Sequence, residues 1–376
     1  MGIALANARV LIGGELREDC CVVIEGDRIG EVCASPPADA ELIDLHGQLL
    51  LPGFIDVQVN GGGGRLFNDD PSVETIAIIA TAHRRFGTTG LLPTLISDDF
   101  SVIARGIVAV DEAIGAGVPG VLGIHIEGPF LSKARRGIHL ASMLQPFEDR
   151  FVELLSSARN GRTLVTVAPE CVTPAQIAQL VQSGVIVSAG HSDADYETVR
   201  AALDAGMTGF THLFNGMSQL TNRAPGMVGA ALEDRSTYAG LIVDGHHIHP
   251  ASLRVAINAK GIDKLMLVTD AMPTVGADDQ EFMLQGRAIQ REGDRLVSED
   301  GVLAGSTLTM ASAIANAIEQ GRIGLGAAAE MASHSPAHFL GLGDKVGTIR
   351  AGFRADLIAM RDDFTVARTW IGGVAG

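Results

Sequence analysis

The chain has 376 residues, enough for one large domain with a small accessory domain, and its 47% hydrophobic content can fill a sizeable core. A formal net charge of −16 with no Lys/Arg cluster argues against nucleic acid or an anionic membrane as partner. No apolar run reaches the roughly 18 residues of a membrane span, and no basic, cleavable leader opens the chain, so a cytoplasmic protein is expected.

Residues 3–50 hold short runs of alternating apolar positions, ALANARVLI, CCVVIEGDRIGEVCA and ELIDLHGQLL, separated by Gly-Gly and Gly-Asp turn signals. KVGTIRAGFRADLIAM and TVARTWIGGV near the other end have the same character. The reading is a small β-sandwich made by residues 1–51 and 346–376, with a catalytic barrel over 52–345. Cys20, Cys21, Cys33 and Cys171 form no CxxC pair and read as reduced thiols.

Between these ends, short apolar runs alternate with helical stretches. Strands are predicted at 53–59, 88–94, 121–127, 164–170, 185–191, 209–214, 239–245 and 264–270. They are continuous rather than alternating, as strands buried on both faces must be. Eight such strands close an α/β fold of the (β/α)8 TIM-barrel type, whose active sites lie at the C-terminal strand ends. Residues 281–304 read as a β-hairpin excursion, and Gly61-Gly62-Gly63-Gly64 as a flexible turn, since no Gly-Lys-Ser/Thr follows.

Polar residues gather at the ends that would share one mouth: Gln58 and Asn60, Glu127, His191, His212, His247 and Asp270. Each has a plain structural reading by itself. A buried His is more often a hydrogen-bonded core residue, Glu127 could pair with an Arg, and Asp270 could cap a helix. Together, Glu127, His191 and His212 make a three-ligand set of the kind that holds catalytic zinc and leaves a position open for water. A bound divalent cation brings the pKa of that water to roughly 7. Asp270 can then accept its proton and deliver it to a departing amine. His334 and His338 stand four apart, but Pro336 lies between them and packing is the expected role.

The strings DVQVNGGGG, HIEGPFL, AGHSDA, THLFNGMS, APGMVGAAL, DGHHI, LVTDAM and LAGSTLTM, with the late GTIRAGFRADLIAM, resemble the N-acetylglucosamine-6-phosphate deacetylases of the amidohydrolase superfamily. The resemblance spans nearly the whole chain and implies hydrolysis of N-acetyl-D-glucosamine 6-phosphate to glucosamine 6-phosphate and acetate. It puts the metal ligands on Glu127, His191 and His212 and the catalytic carboxylate on Asp270. Gln58-Val59-Asn60 replaces the superfamily's frequent His-x-His pair, which implies one divalent metal, Zn2+ first and Fe2+ second, with Gln58 free to bond the water. Ile138 and His139 are implied at the sugar, His139 also at the carbonyl. Asn215, Gly216, Arg223 and His247 would bind the phosphate, and Leu303, Ala304 and Gly305 would border the sugar. Arg223 would reach in from the partner of a homodimer. His246 and His247 cannot both enter the site, since neighbours in an extended segment point oppositely. Rival readings are the N-acetylgalactosamine 6-phosphate epimer as substrate, a cyclic-amide hydrolase, which usually needs the missing His-x-His pair, and a non-enzymatic barrel scaffold.

Overall fold

A computed structural model describes residues 2–376. Eight parallel strands pair in sequence order: Phe54–Val59, Thr88–Ile96, Gly123–Glu127, Arg162–Val167, Ile186–Ala189, Gly209–Phe210, Tyr238–Leu241 and Leu265–Leu267. Every residue of the first three is buried, because side chains fill the barrel on one face and helices cover the other. This is the (β/α)8 barrel expected. The helix Phe100–Gly115 shows how the covering layer forms. Ile103, Gly106, Ile107 and Val110 recur at three- and four-residue spacing and bury one stripe against the strands. The helix Pro174–Gln182 starts where Thr173 and Gln176 satisfy each other's backbone N–H groups in a capping box.

The chain's two ends contribute a four-stranded and a six-stranded sheet. In the latter, Leu357–Met360 from near the C-terminus pairs antiparallel with Leu49–Pro52 from near the N-terminus. Leu5, Val22, Ile29, Leu50, Leu357 and Trp370 pack together as a core separate from the barrel's. Arg84 ties the barrel to it, donating from Nε to Thr369 Oγ1 at 2.9 Å. All four cysteines are free thiols, and Cys21 and Cys33 face each other across paired strands with sulfurs 3.1 Å apart.

Two expectations need correction. The excursion is a four-stranded antiparallel meander rather than a hairpin, running from Glu281–Leu284 to Leu303–Ser306. Leu284, Ile289, Leu296 and Ala304 give it an apolar face packed on Leu66, Ile96, Ile138 and Met272 over the barrel mouth. The glycine run is a turn only at Gly63–Gly64, where φ is 60° and 76°; its first half is strand. Gly61–Gly62 pairs antiparallel with Arg65–Leu66, and a Cβ on Gly61 would sit 2.5 Å from the Arg65 carbonyl oxygen. Close backbone approach, not mobility, requires glycine there. No helix among the described residues is long and apolar enough to cross a membrane.

Candidate active site

The strand ends open on a cavity of about 230 Å³ lined by Glu127, His139, His191, His212, Asn215, Gly216, His247 and Asp270. Ile138, Leu303 and Gly305 complete its wall with Ile96, Gly137, Ile242, Met272 and Val302. His191, His212 and Asp270 stand at φ of 49°, 33° and 52°. Left-handed backbone at a residue with a Cβ costs of order 1–3 kcal/mol and persists only where its surroundings enforce it. Three such residues in one cavity mark a built site.

His212 Nε2 lies 2.9 Å from Glu127 Oε1 and 3.0 Å from His191 Nε2, and His191 Nε2 lies 3.2 Å from the same carboxylate oxygen. All three residues are buried. Nδ1 of His191 is 2.9 Å from the Arg135 carbonyl oxygen, so it carries the ring proton and leaves Nε2 with a lone pair. Gly216 allows this placement, since at φ 60° a Cβ there would stand 2.9 Å from His191 Nδ1. Burial opposes the charge on Glu127, yet where the two imidazoles carry protons toward it its carboxyl is held well below the usual range. A carboxylate and two imidazole nitrogens converging in a buried cleft fit one divalent cation.

Glu127, His139 and His191 also offer one ligand atom each within 4.8 Å. His139 is the poorer donor. Its Nδ1 accepts the Ser97 N–H at 3.2 Å and lies 2.8 Å from Ser97 Oγ. The neutral ring then carries its proton on Nε2, which has no lone pair to give. Burial pushes the His139 pKa down to about 3, so the ring is neutral and a hydrogen-bond donor.

Asp270 faces this cluster. Its Oδ1 accepts from Asn60 Nδ2 at 2.6 Å and Gln58 Nε2 at 3.2 Å. The Gln58 amide also donates to Glu127 Oε1 at 3.1 Å, so it bridges the two carboxylates from behind the cavity wall. Burial, then the charge of Glu127, raises the Asp270 pKa to about 6.

The amidohydrolase family model matches residues 49–375. The chain belongs to the amidohydrolase family. This amidohydrolase is 47% identical to the N-acetylgalactosamine-6-phosphate deacetylase of Shewanella sp. (strain ANA-3), over 98% of this chain and 94% of the relative. It is 35% identical to the N-acetylglucosamine-6-phosphate deacetylase of Haemophilus influenzae over 99% of both. The solved N-acetylglucosamine-6-phosphate deacetylase of Pasteurella multocida superposes with a TM-score of 0.97 at 33% identity, covering all of both chains. A mutant of the Mycobacterium smegmatis enzyme, solved with N-acetyl-D-glucosamine 6-phosphate, gives 0.92 at 33% identity over 100% of this chain and 99% of that one.

The amidohydrolase places the other expected residues unevenly. His247 enters the cavity, with Nδ1 2.6 Å from Asp244 Oδ2, which leaves Nε2 as the ring's free nitrogen. His246 turns away to Asp294, and His249 caps the helix Pro250–Lys260. Ala304, in the meander's last strand, packs in the apolar cluster beneath that sheet rather than at the cavity surface. Arg223 lies in an exposed loop and does not line its own chain's cavity. His334 pairs with Glu330 at 2.8 Å, away from this site. Sequence reasoning missed Ser97 and the Arg135 carbonyl, which fix the two histidine tautomers. The Arg135 contact is made by backbone, so no side-chain signal could have revealed it.

Proposed function

We propose that this amidohydrolase hydrolyses N-acetyl-D-glucosamine 6-phosphate to D-glucosamine 6-phosphate and acetate. The observation that carries the reading is the half-buried Asp270 carboxylate facing the Glu127–His191–His212 donor triangle across one cavity. Similarity to deacetylases of N-acetylhexosamine 6-phosphates along the whole chain supports the substrate class. Residues 52–345 act as the catalytic barrel, and 1–51 with 346–376 as the accessory sandwich.

Glu127, His191 and His212 would hold one divalent cation, zinc first and iron second. When bound, that cation supplies Lewis acidity, bringing the pKa of a water to roughly 7 and polarising the acetyl carbonyl. Asp270 takes the water proton and returns it to the departing amine nitrogen. With Oδ1 occupied by the Asn60 and Gln58 amides, Oδ2 is the oxygen free to carry that proton. His139 donates from Nε2 to the carbonyl or a sugar hydroxyl. Asn215, the Gly216 N–H and His247 bind phosphate, while Ile138, Leu303 and Gly305 border the sugar, with Ala304 contributing only the backbone between the last two. Arg223, exposed beside Leu220, completes the phosphate site of the neighbouring subunit in a homodimer. The working compartment is the cytoplasm.

A second reading, N-acetylgalactosamine 6-phosphate as the preferred substrate, is favoured by the 47% identity to an enzyme of that name. Acetate release from both phosphorylated epimers and from unphosphorylated N-acetylglucosamine tests all of this. Faster release from the galactosamine epimer selects the second reading. Equal release from the unphosphorylated sugar would sink the phosphate contacts.

A further inference from the structure

The barrel strands pair in order from the first to the eighth, which leaves one seam, where Phe54–Val59 meets the eighth strand and the segment after it. The ladder is sparse there. It consists of one bridge, Val59 with Ala271, plus the Asp270 N–H on the Gln58 carbonyl at 3.0 Å and the Asn60 and Gly61 N–H groups on the Ala271 carbonyl, both at 2.9 Å. Asp56 spans the seam as a fully buried carboxylate. Its Oδ1 accepts the N–H of Gln58 on its own strand at 3.2 Å and of Thr269 across the gap at 3.3 Å. Its Oδ2 accepts the Thr269 hydroxyl at 2.5 Å. A buried carboxylate is costly, and apolar packing would close a barrel without it. The residues it grips point to what it does. Gln58 is itself a donor to Asp270, and Thr269 is the residue before Asp270. The Asn60 and Gln58 amides reach Asp270 only while this seam keeps its register.

We infer that Asp56 is a positioning residue for Asp270, locking the first strand to the eighth so that the two amides meet one oxygen of the catalytic carboxylate. The inference rests on the role given to Asp270 above. Hydrogen-bond geometry, not charge, carries it. In Asp56→Asn the remaining oxygen still accepts both N–H groups. The new amide donates to Thr269 Oγ1, whose hydrogen turns to the Gln58 carbonyl 3.4 Å away.

The test compares kcat, KM and crystal structures for wild type, Asp56→Ala and Asp56→Asn. Asp56→Ala should lose kcat by about tenfold or more with KM within about threefold, because the acid is displaced while the sugar contacts stay. Asp56→Asn should stay within about threefold of wild type in both. In the Asp56→Ala crystal structure the Asn60–Asp270 bond, 2.6 Å here, should be broken. If Asp56→Ala does not fold, Thr269→Val against Thr269→Ser makes the same comparison from the other side of the seam. Full turnover in folded Asp56→Ala or Thr269→Val overturns the inference, as does Asp56→Asn as impaired as Asp56→Ala. Wild-type protein that releases acetate from neither epimer overturns the proposed function instead. The Asn60–Asp270 contact in the variant structures then decides the seam alone, and its persistence in Asp56→Ala refutes it.

Discussion

His83 couples the fold's acid stability to the loop behind the active site. It is fully buried on the helix Val73–Arg84, its Nε2–H donates to the Gly61 carbonyl at 2.9 Å, and its Nδ1 has no partner. Burial pushes its pKa from 6.5 down to about 4, with the Gly61 bond opposing. The unfolded chain therefore binds the proton more readily than the folded one. The associated stability is fully present above about pH 6.5 and is lost as pH falls through about 4. At 1.36 kcal/mol per tenfold, the complete loss is about 3.4 kcal/mol, of which about 2 kcal/mol is gone by pH 5. His83→Gln removes the titration and keeps an amide N–H for Gly61. Guanidinium denaturation of both proteins at pH 7.5 and pH 5.0 measures the difference. Wild type should lose about 2 kcal/mol more than the variant over that interval. His125 and His139, also pushed down to about 4 and about 3 by burial, are present in both proteins and cancel. Equal losses in the two proteins would refute the argument.

Asp270→Asn should lower turnover by about 10²–10⁴-fold while calorimetry still detects substrate binding. Chelator treatment should abolish acetate release, and added Zn2+ should restore it in proportion to the metal bound, read by atomic absorption. Gly216→Ala forces a Cβ into left-handed backbone 2.9 Å from His191 Nδ1, so metal content as purified should fall and the melting temperature should drop. Arg223→Ala should raise KM far more than it lowers kcat. Mixing it with Asp270→Asn under subunit exchange should restore activity, because one site of each mixed dimer then has both residues intact. No recovery would place Arg223 in its own chain's site.

The eight barrel strands were legible because short, mostly apolar runs alternate with helical stretches along the chain, the pattern of a parallel sheet buried on both faces. Glu127, His191, His212 and Asp270 were legible as polar residues where a barrel strand stops. The meander was underestimated because ADDQEFMLQGRAIQREGDRLVSEDG is mostly polar, and its apolar face emerges only when Leu284, Ile289 and Leu296 meet Ile96 and Met272. The glycine run misled for a different reason. Composition cannot separate a mobile Gly from one pressed against a neighbour's backbone, and Gly61 is the second kind. Arg223 was expected from the partner of a homodimer, and its exposed place outside its own chain's cavity agrees with that expectation without testing it.

Gln58 and Asn60 show what an amide pair does where imidazoles would ligate. A carboxamide nitrogen has hydrogens to give and no lone pair for a cation, so these side chains turn to the carboxylates instead. The Gln58 amide lies 3.1 Å from Glu127 and 3.2 Å from Asp270, and Asn60 adds a 2.6 Å bond to the same Asp270 oxygen. Two neighbouring acids thereby share one neutral donor. Asp270 is left with burial and the Glu127 charge raising its pKa to about 6 and the Asn60 bond opposing them. A group near neutrality can take a proton and give it back, which amide hydrolysis requires of a single residue. Histidines at 58 and 60 would offer ligands in place of these donors, and the Asp270 carboxylate would then need another partner.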